Sequence, residues 1–305
     1  MRVMRIEAAL LQGNNILAAL RVIRKPPLAA AAAKAFVSIN KNFFVLQRKA
    51  ARGIIHIPVA NVEHPLDAKI PFSPEYVGIY MDFTWCWIRA LAFLLRAFGR
   101  RADTHVQQFL HDIDKMYTFA ACVYSKYMST TRRPRYTKSM LFRVIYLFDP
   151  HLMCIPSLHV MVAVFTYTAF RSILRALDTA GRFAPGAAAL YRHAVGIIDS
   201  ILFVKQHSVN CVAAGMYAMH CFSPGLFPRE EAEQCAAALL RESGLPPQDA
   251  DAIRAHIITL FNSFVEAEKT APRWDAVLVD FLANHPCAPR AAEAGGQKKD
   301  GAPGP

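Results

Sequence analysis

The sequence predicts an all-α protein: a multi-pass transmembrane helical bundle of about five to six spans with a small helical cytoplasmic tail. Three observations carry that expectation. Hydrophobic residues make up 54% of the 305 and charged residues 19%, which leaves room for about six spans of about 20 residues each. The apolar stretches are divided by basic or Gly/Pro-bearing breaks such as Gly99-Arg100-Arg101 and Gly181 to Gly186. Beyond Ser223-Pro224-Gly225 the pattern changes to amphipathic helical periodicity.

Four regions follow. Residues 1–60 carry ten Lys or Arg and no more than two acids, and read as a basic cytoplasmic or interfacial segment. Gln12 to Asn15 interrupt the apolar run from Ala8 to Ile23, so that run makes a poor signal-peptide core. Residues 61–224 form the membrane-embedded part. Tyr76 to Phe98 is apolar and aromatic but carries Asp82 and Arg89, which share a helix face and pair or turn inward. Val106 to Met128 is more polar, His159 to Leu177 is a span, and Ala187 to Val204 and Val209 to Phe222 follow. Residues 225–287 hold three amphipathic helices, beginning near Arg229, Pro247 and Trp274. Residues 288–305 are Ala, Gly, Pro and charge, a composition that predicts disorder.

The formal net charge is +12. It suits an anionic membrane surface or a phosphate-bearing substrate; no zinc-finger spacing or aromatic RNA-binding motif argues for nucleic acid. The seven cysteines are scattered without a Cys-x-x-Cys pair, so neither a disulfide framework nor a structural zinc site is expected. The histidines outside the motifs below form no metal-ligand pattern, and no cofactor is implied.

The chemistry-bearing stretches surround the middle of the chain. Lys126 is followed after six residues by Arg133-Pro134, then comes Pro156-Ser157-Leu158-His159, and Ser200 is followed after six residues by His207. A His opening the apolar run Val160 to Phe165 is costly unless it faces a polar cavity. Each stretch also has a plain structural role: Lys126 and Arg133 as interfacial anchors, Ser157 as a helix N-cap, His207 as an interfacial residue.

In this order the stretches resemble the signature of the type 2 phosphatidic acid phosphatase superfamily, integral-membrane lipid phosphate phosphatases and phosphotransferases. Ile70-Pro71-Phe72 adds a likeness to its inositol phosphorylceramide synthase-like branch. The resemblance covers roughly residues 65 to 222. It implies that His207 attacks phosphorus and forms a phosphohistidine, and that His159 protonates the leaving alkoxide. Lys126, Arg133 and Ser157 would bind the phosphate, and no metal takes part. It also implies a lipid phosphate as substrate, and loop charges put the site on the extracytoplasmic face of the cell membrane.

The third motif departs from the family. Ile201 stands where the family has Arg, and Cys211 where it has the Asp that orients the nucleophilic imidazole. Removing such a carboxylate from a triad costs about 10⁴ in turnover, and a thiol is a weak substitute. Lys205 lies close enough in sequence to replace the missing cation. Two expectations therefore stand: an active phosphohydrolase or head-group transferase, and a catalytically impaired relative that binds anionic lipid or a membrane partner.

Overall fold

The computed structural model describes residues 2–286 and is all-helical apart from one short parallel ladder. The stretch expected to be disordered, 288–305, lies outside the described residues. Three helices come first: α1 (Arg2–Leu11), α2 (Asn15–Val22) and α3 (Pro26–Ile39). A π turn (Asn40–Val45) leads from α3 into α4 (Leu46–Ala51). Strand β1 (Val59–Asn61) precedes α5 (Val77–Met81), α6 (Phe83–Phe98) and α7 (Asp103–Tyr124). Strand β2 (Met128–Thr130) then pairs in parallel with β1. There follow α8 (Met140–Phe148), α9 (Leu158–Leu177), α10 (Ala184–Phe203), α11 (Val209–Phe222), α12 (Arg229–Ala238), α13 (Pro247–Glu268) and α14 (Trp274–Ala283).

The core is built around α9. Every residue from Leu158 to Phe170 is buried, because α6, α7, α10 and α11 all pack on it. A helix apolar all round needs such a complete casing. Its two threonine hydroxyls are satisfied locally: Thr166 donates to the Val162 carbonyl and Thr168 to that of Val164. Helix α11 comes closest where Gly215 has no side chain. A Cβ there would stand 2.8 Å from Val160 Cβ and 3.1 Å from the Ser157 carbonyl oxygen. The pairing foreseen between Asp82 and Arg89 is present at 2.8 Å, and His193 on α10 also reaches Asp82, at 2.7 Å.

The C-terminal helices do not form a unit apart from the site. Helix α13 runs beside α11 in the same direction, with His256 at Asn210, Phe264 at Tyr217 and Cys221 at Glu268. Helix α12 meets α9 through Glu231 and Arg171, and the chain after it caps Asp199 of α10 with the Leu240 amide. Helix α14 begins with Trp274 stacked on Phe119 at 3.7 Å, puts Asp275 on Lys126, and leads to Pro286, whose carbonyl accepts from Asn61 of β1. These helices thus sheathe α9 to α11 along their length. Asp275 of the C-terminal helices and Lys126 of the first motif share one ion pair.

Two helical stretches, Pro74–Tyr124 and Leu158–Leu177, are long and apolar enough to cross a membrane. Among the described residues this is fewer than the sequence led us to expect. Ala184–Phe203 carries Arg192, His193 and Asp199, and Val209–Phe222 has only 14 residues, short of the roughly 20 that a span requires. Every exposed large hydrophobic side chain among the described residues falls between Met4 and Phe148. Most of them belong to α2, α3, the π turn and α8.

Candidate functional site

The site is assembled by three short segments and two helix starts. The ladder of β1 and β2 is extended on one side by Ser129, whose amide donates to the Leu152 carbonyl and whose hydroxyl accepts from the Ile155 amide at 2.7 Å. This fixes the chain just ahead of α9. Ser157 is the N-cap of that helix, its hydroxyl accepting from the Val160 amide at 3.5 Å, and His159 therefore emerges from the first turn.

The turn between α10 and α11 aims His207 at it. Lys205 adopts a left-handed backbone (φ 54°), an unusual conformation for a residue with a Cβ. The amides of Gln206 and His207 both donate back to the Ile201 carbonyl. Asp67 organises the same turn from outside: its carboxylate accepts from the amides of Val209 (2.9 Å) and His64 (2.8 Å), and its carbonyl accepts from the Lys205 ammonium at 2.5 Å. Asn210 continues this support, donating to the Val62 carbonyl and accepting from His256, whose ring stacks on His64 at 3.9 Å.

His207 Nε2 lies 3.2 Å from His159 Nδ1, with the rings edge to face. Both residues are buried. Tyr80 stacks on His159 at 4.6 Å and Phe83 packs against it at 4.0 Å. The outer nitrogens, His159 Nε2 and His207 Nδ1, are buried with no hydrogen-bond partner, a costly state unless something arrives to satisfy them. Burial pushes the His207 pKa down to about 4, against a smaller opposing pull from Asp149. The imidazole is therefore neutral at pH 7 and keeps a lone pair.

Two hollows meet at His207. One, of about 380 Å³, is walled by Phe36, Ile39, Phe43, Trp85 and Ile88 and ends on His159, His207 and Asp149. The other, of about 470 Å³, is polar and bounded by Glu63, His64, Asp67, Thr131, Arg132 and Lys205, with His207 in its wall. The first lies within the size range of small-ligand pockets. The polar lining carries two carboxylates and two cations: Arg132 pairs with Glu63 at 3.6 Å, and the Lys205 ammonium rests on the Asp67 carbonyl.

The remaining residues singled out in the sequence take different positions. Lys126 borders neither hollow: its ammonium is 2.5 Å from Asp275, a carboxylate with no exposure that Arg273 also contacts. Arg133 donates to the Asp149 carbonyl (2.8 Å) and to Gln206 (3.2 Å) and lies 5.0 Å from the Tyr146 ring, so it reaches the His207 turn only through Gln206. Ser157 is fully buried and spends its hydroxyl on the helix cap. Lys205 borders the polar hollow, and its burial lowers its pKa. Cys211 is fully buried and interacts with the thiol of Cys154. It leaves His207 Nδ1 unsupported. Ile201 is buried and contributes only its carbonyl.

Sequence reasoning missed Asp67, Asp149 and His64. Asp67 and His64 flank Pro65 just before Ile70-Pro71-Phe72, where a start signal for a short helix was present. Among the described residues no group of three His, Cys, Asp or Glu side chains is set to hold a metal ion. No family model, no curated protein and no solved structure matches the chain.

Proposed function

We propose that the protein is a membrane-associated lipid phosphate phosphatase or head-group phosphotransferase that works through a phosphohistidine on His207. The observation that supports this best is the position of His207 between an apolar hollow and a polar one, with His159 3.2 Å away. A neutral imidazole attacks phosphorus in line, the phosphorus–oxygen ester bond breaks, and the leaving alkoxide takes a proton from His159. Water, or an alcohol acceptor, then attacks the phosphohistidine while His159 takes its proton. The two negative charges of the substrate supply the field that keeps the second proton on the histidine pair, which burial alone would expel. Arg132 and Lys205 are the cations nearest to hand in the polar hollow, and charge on the equatorial oxygens is what they would stabilise.

The resemblance implies a multi-pass arrangement, and the two apolar helical stretches are the part of it that length and composition support. A second reading keeps its place because of two contacts. Cys211 is turned to Cys154, and Lys126 is held by Asp275; both fit a relative that binds anionic lipid without turning it over.

The test is phosphate release from a panel of single-chain and double-chain lipid phosphates by detergent-purified protein, with His207→Ala as control. Release by the parent at a rate well above the variant supports the enzyme. Equal rates end it, and retained affinity for phosphate-bearing lipid would then leave the binding reading.

A further inference from the structure

A helical bundle that crosses a bilayer upright shows lipid an apolar girdle all round, about 30 Å tall. Among the described residues, the side of the bundle formed by α12 and α13 offers no such girdle. Helix α9, about 30 Å long at 1.5 Å per residue, is covered on the α10 and α11 side by α12 and α13, which carry the exposed Glu230, Asp251 and Glu266, with Lys269 at the end of α13. Charges strung along the whole bundle would lie in hydrocarbon if α9 stood across a membrane.

The opposite face has the reverse character. Ile16, Leu17, Leu20 and Ile23 of α2 and its end, Phe36 and Val37 of α3, Val45 of the π turn, and Met140, Leu141, Leu147 and Phe148 of α8 are all exposed. Arg48 joins the π turn to α8, its guanidinium 6.0 Å from both the Phe44 and Phe148 rings. Between Glu7 and Glu63 the chain has no acidic residue. Of its cations there, Lys25 and Lys34 have carboxylate partners, while Arg21, Arg24, Lys41, Arg48, Lys49 and Arg52 are exposed and make no ion pair among the described residues. Apolar side chains interleaved with unpaired cations match a leaflet that offers hydrocarbon beneath anionic head groups.

We propose that, in place of the multi-pass arrangement the resemblance implies, the protein is monotopic: the face of α2, α3, the π turn and α8 sinks into one leaflet of an anionic bilayer, and the apolar hollow opens into that leaflet. The opening is the juxtaposition of Phe36 of that face and Trp85 of α6, exposed side chains that both wall the hollow ending on His159 and His207. A lipid tail then passes from leaflet to histidine pair without entering water. The inference rests on the lipid-phosphate reading only for the identity of what enters.

Two measurements test it. The first is co-sedimentation of full-length protein with phosphatidylcholine vesicles, with and without phosphatidylglycerol. Binding should be stronger with phosphatidylglycerol, should fall about tenfold in Arg48→Glu/Lys49→Glu, and should fall at least as far in Leu17→Asp/Phe148→Asp. Circular dichroism confirms that these surface variants remain folded. The second uses Asp251→Cys and Arg182→Cys, exposed positions at opposite ends of the bundle, labelled in intact cells with an impermeant maleimide. A monotopic protein gives both positions the same sidedness. Opposite sidedness, or vesicle binding indifferent to all four substitutions, overturns the proposal. Neither result touches His207-dependent phosphate release, so the two readings fail separately.

Discussion

Among the described residues, 150–286 bury their large apolar side chains, whereas 2–148 leave some of theirs uncovered. The two regions contain similar raw material. Helix α13 hides Ile253, Ile257, Phe261 and Phe264 under α11 and α12, while α3 hides Leu28, Ala31 and Ala35 on α7 but turns Phe36 and Val37 outward. What differs is the partner. The C-terminal helices find it within the chain, and the N-terminal ones present a surface for something outside it. The histidine pair sits where the two regimes meet, with α9 and the His207 turn from one and the walls of the apolar hollow from the other.

The largest effect should come at that meeting point. His207→Ala should lower phosphate release by about 10³-fold or more, as losses of a covalent nucleophile do, while leaving vesicle binding unchanged. A parallel loss of binding would mean that His207 belongs to the docking face rather than to the chemistry.

A matched pair of truncations breaks the comparison most simply. Phe261→Ala, at 2% exposure, should cost about 3–5 kcal/mol in denaturant unfolding. Phe36→Ala, at 67% exposure, should change stability by no more than about 0.5 kcal/mol. Similar costs for the two would show that the N-terminal face is covered in solution.

The pH dependence isolates the buried histidine. Its folded pKa of about 4 lies below the ordinary value of 6.5, so between those values the unfolded chain holds the extra proton and stability rises with pH. On acidification from pH 7 to pH 4 the protein should lose about 3 kcal/mol from this group. His256, also lowered to about 4 by burial beside His64, acts in the same direction. His207→Gln should flatten the slope. An unchanged slope would mean that the imidazole is solvated.

Gly215→Ala should have the smaller cost of overpacking, about 1–3 kcal/mol, because Val160 and the Ser157 carbonyl must yield. Since both flank His159, turnover should drop with it.

Much of this was legible in the chain. The helices from Arg229, Pro247 and Trp274 begin where acidic first turns and periodicity put them, and His159 and His207 meet although 48 residues separate them. What local pattern does not carry is partner choice over long separations. Lys126 finds Asp275 149 residues away, and nothing near either residue announces it. The apolar hollow takes Phe36, Ile39, Phe43 and Phe44 into its wall from a part of the chain where Lys34 and Lys41 read as surface. Helix α9 stays one of the two stretches long and apolar enough to cross a membrane, and complete burial in protein selects the same residues.

The central claim, covalent phosphoryl transfer at a histidine between the two hollows, is tested most directly by trapping. The protein is mixed with a single-chain lipid phosphate, quenched in alkali within the first turnovers, and examined by intact mass and peptide mapping. The account predicts an alkali-stable, acid-labile phosphoryl adduct on His207, absent in His207→Ala and more persistent in His159→Ala, where the base for hydrolysis is missing. Phosphate released by the parent with no adduct on His207, or an adduct on another residue, would contradict it.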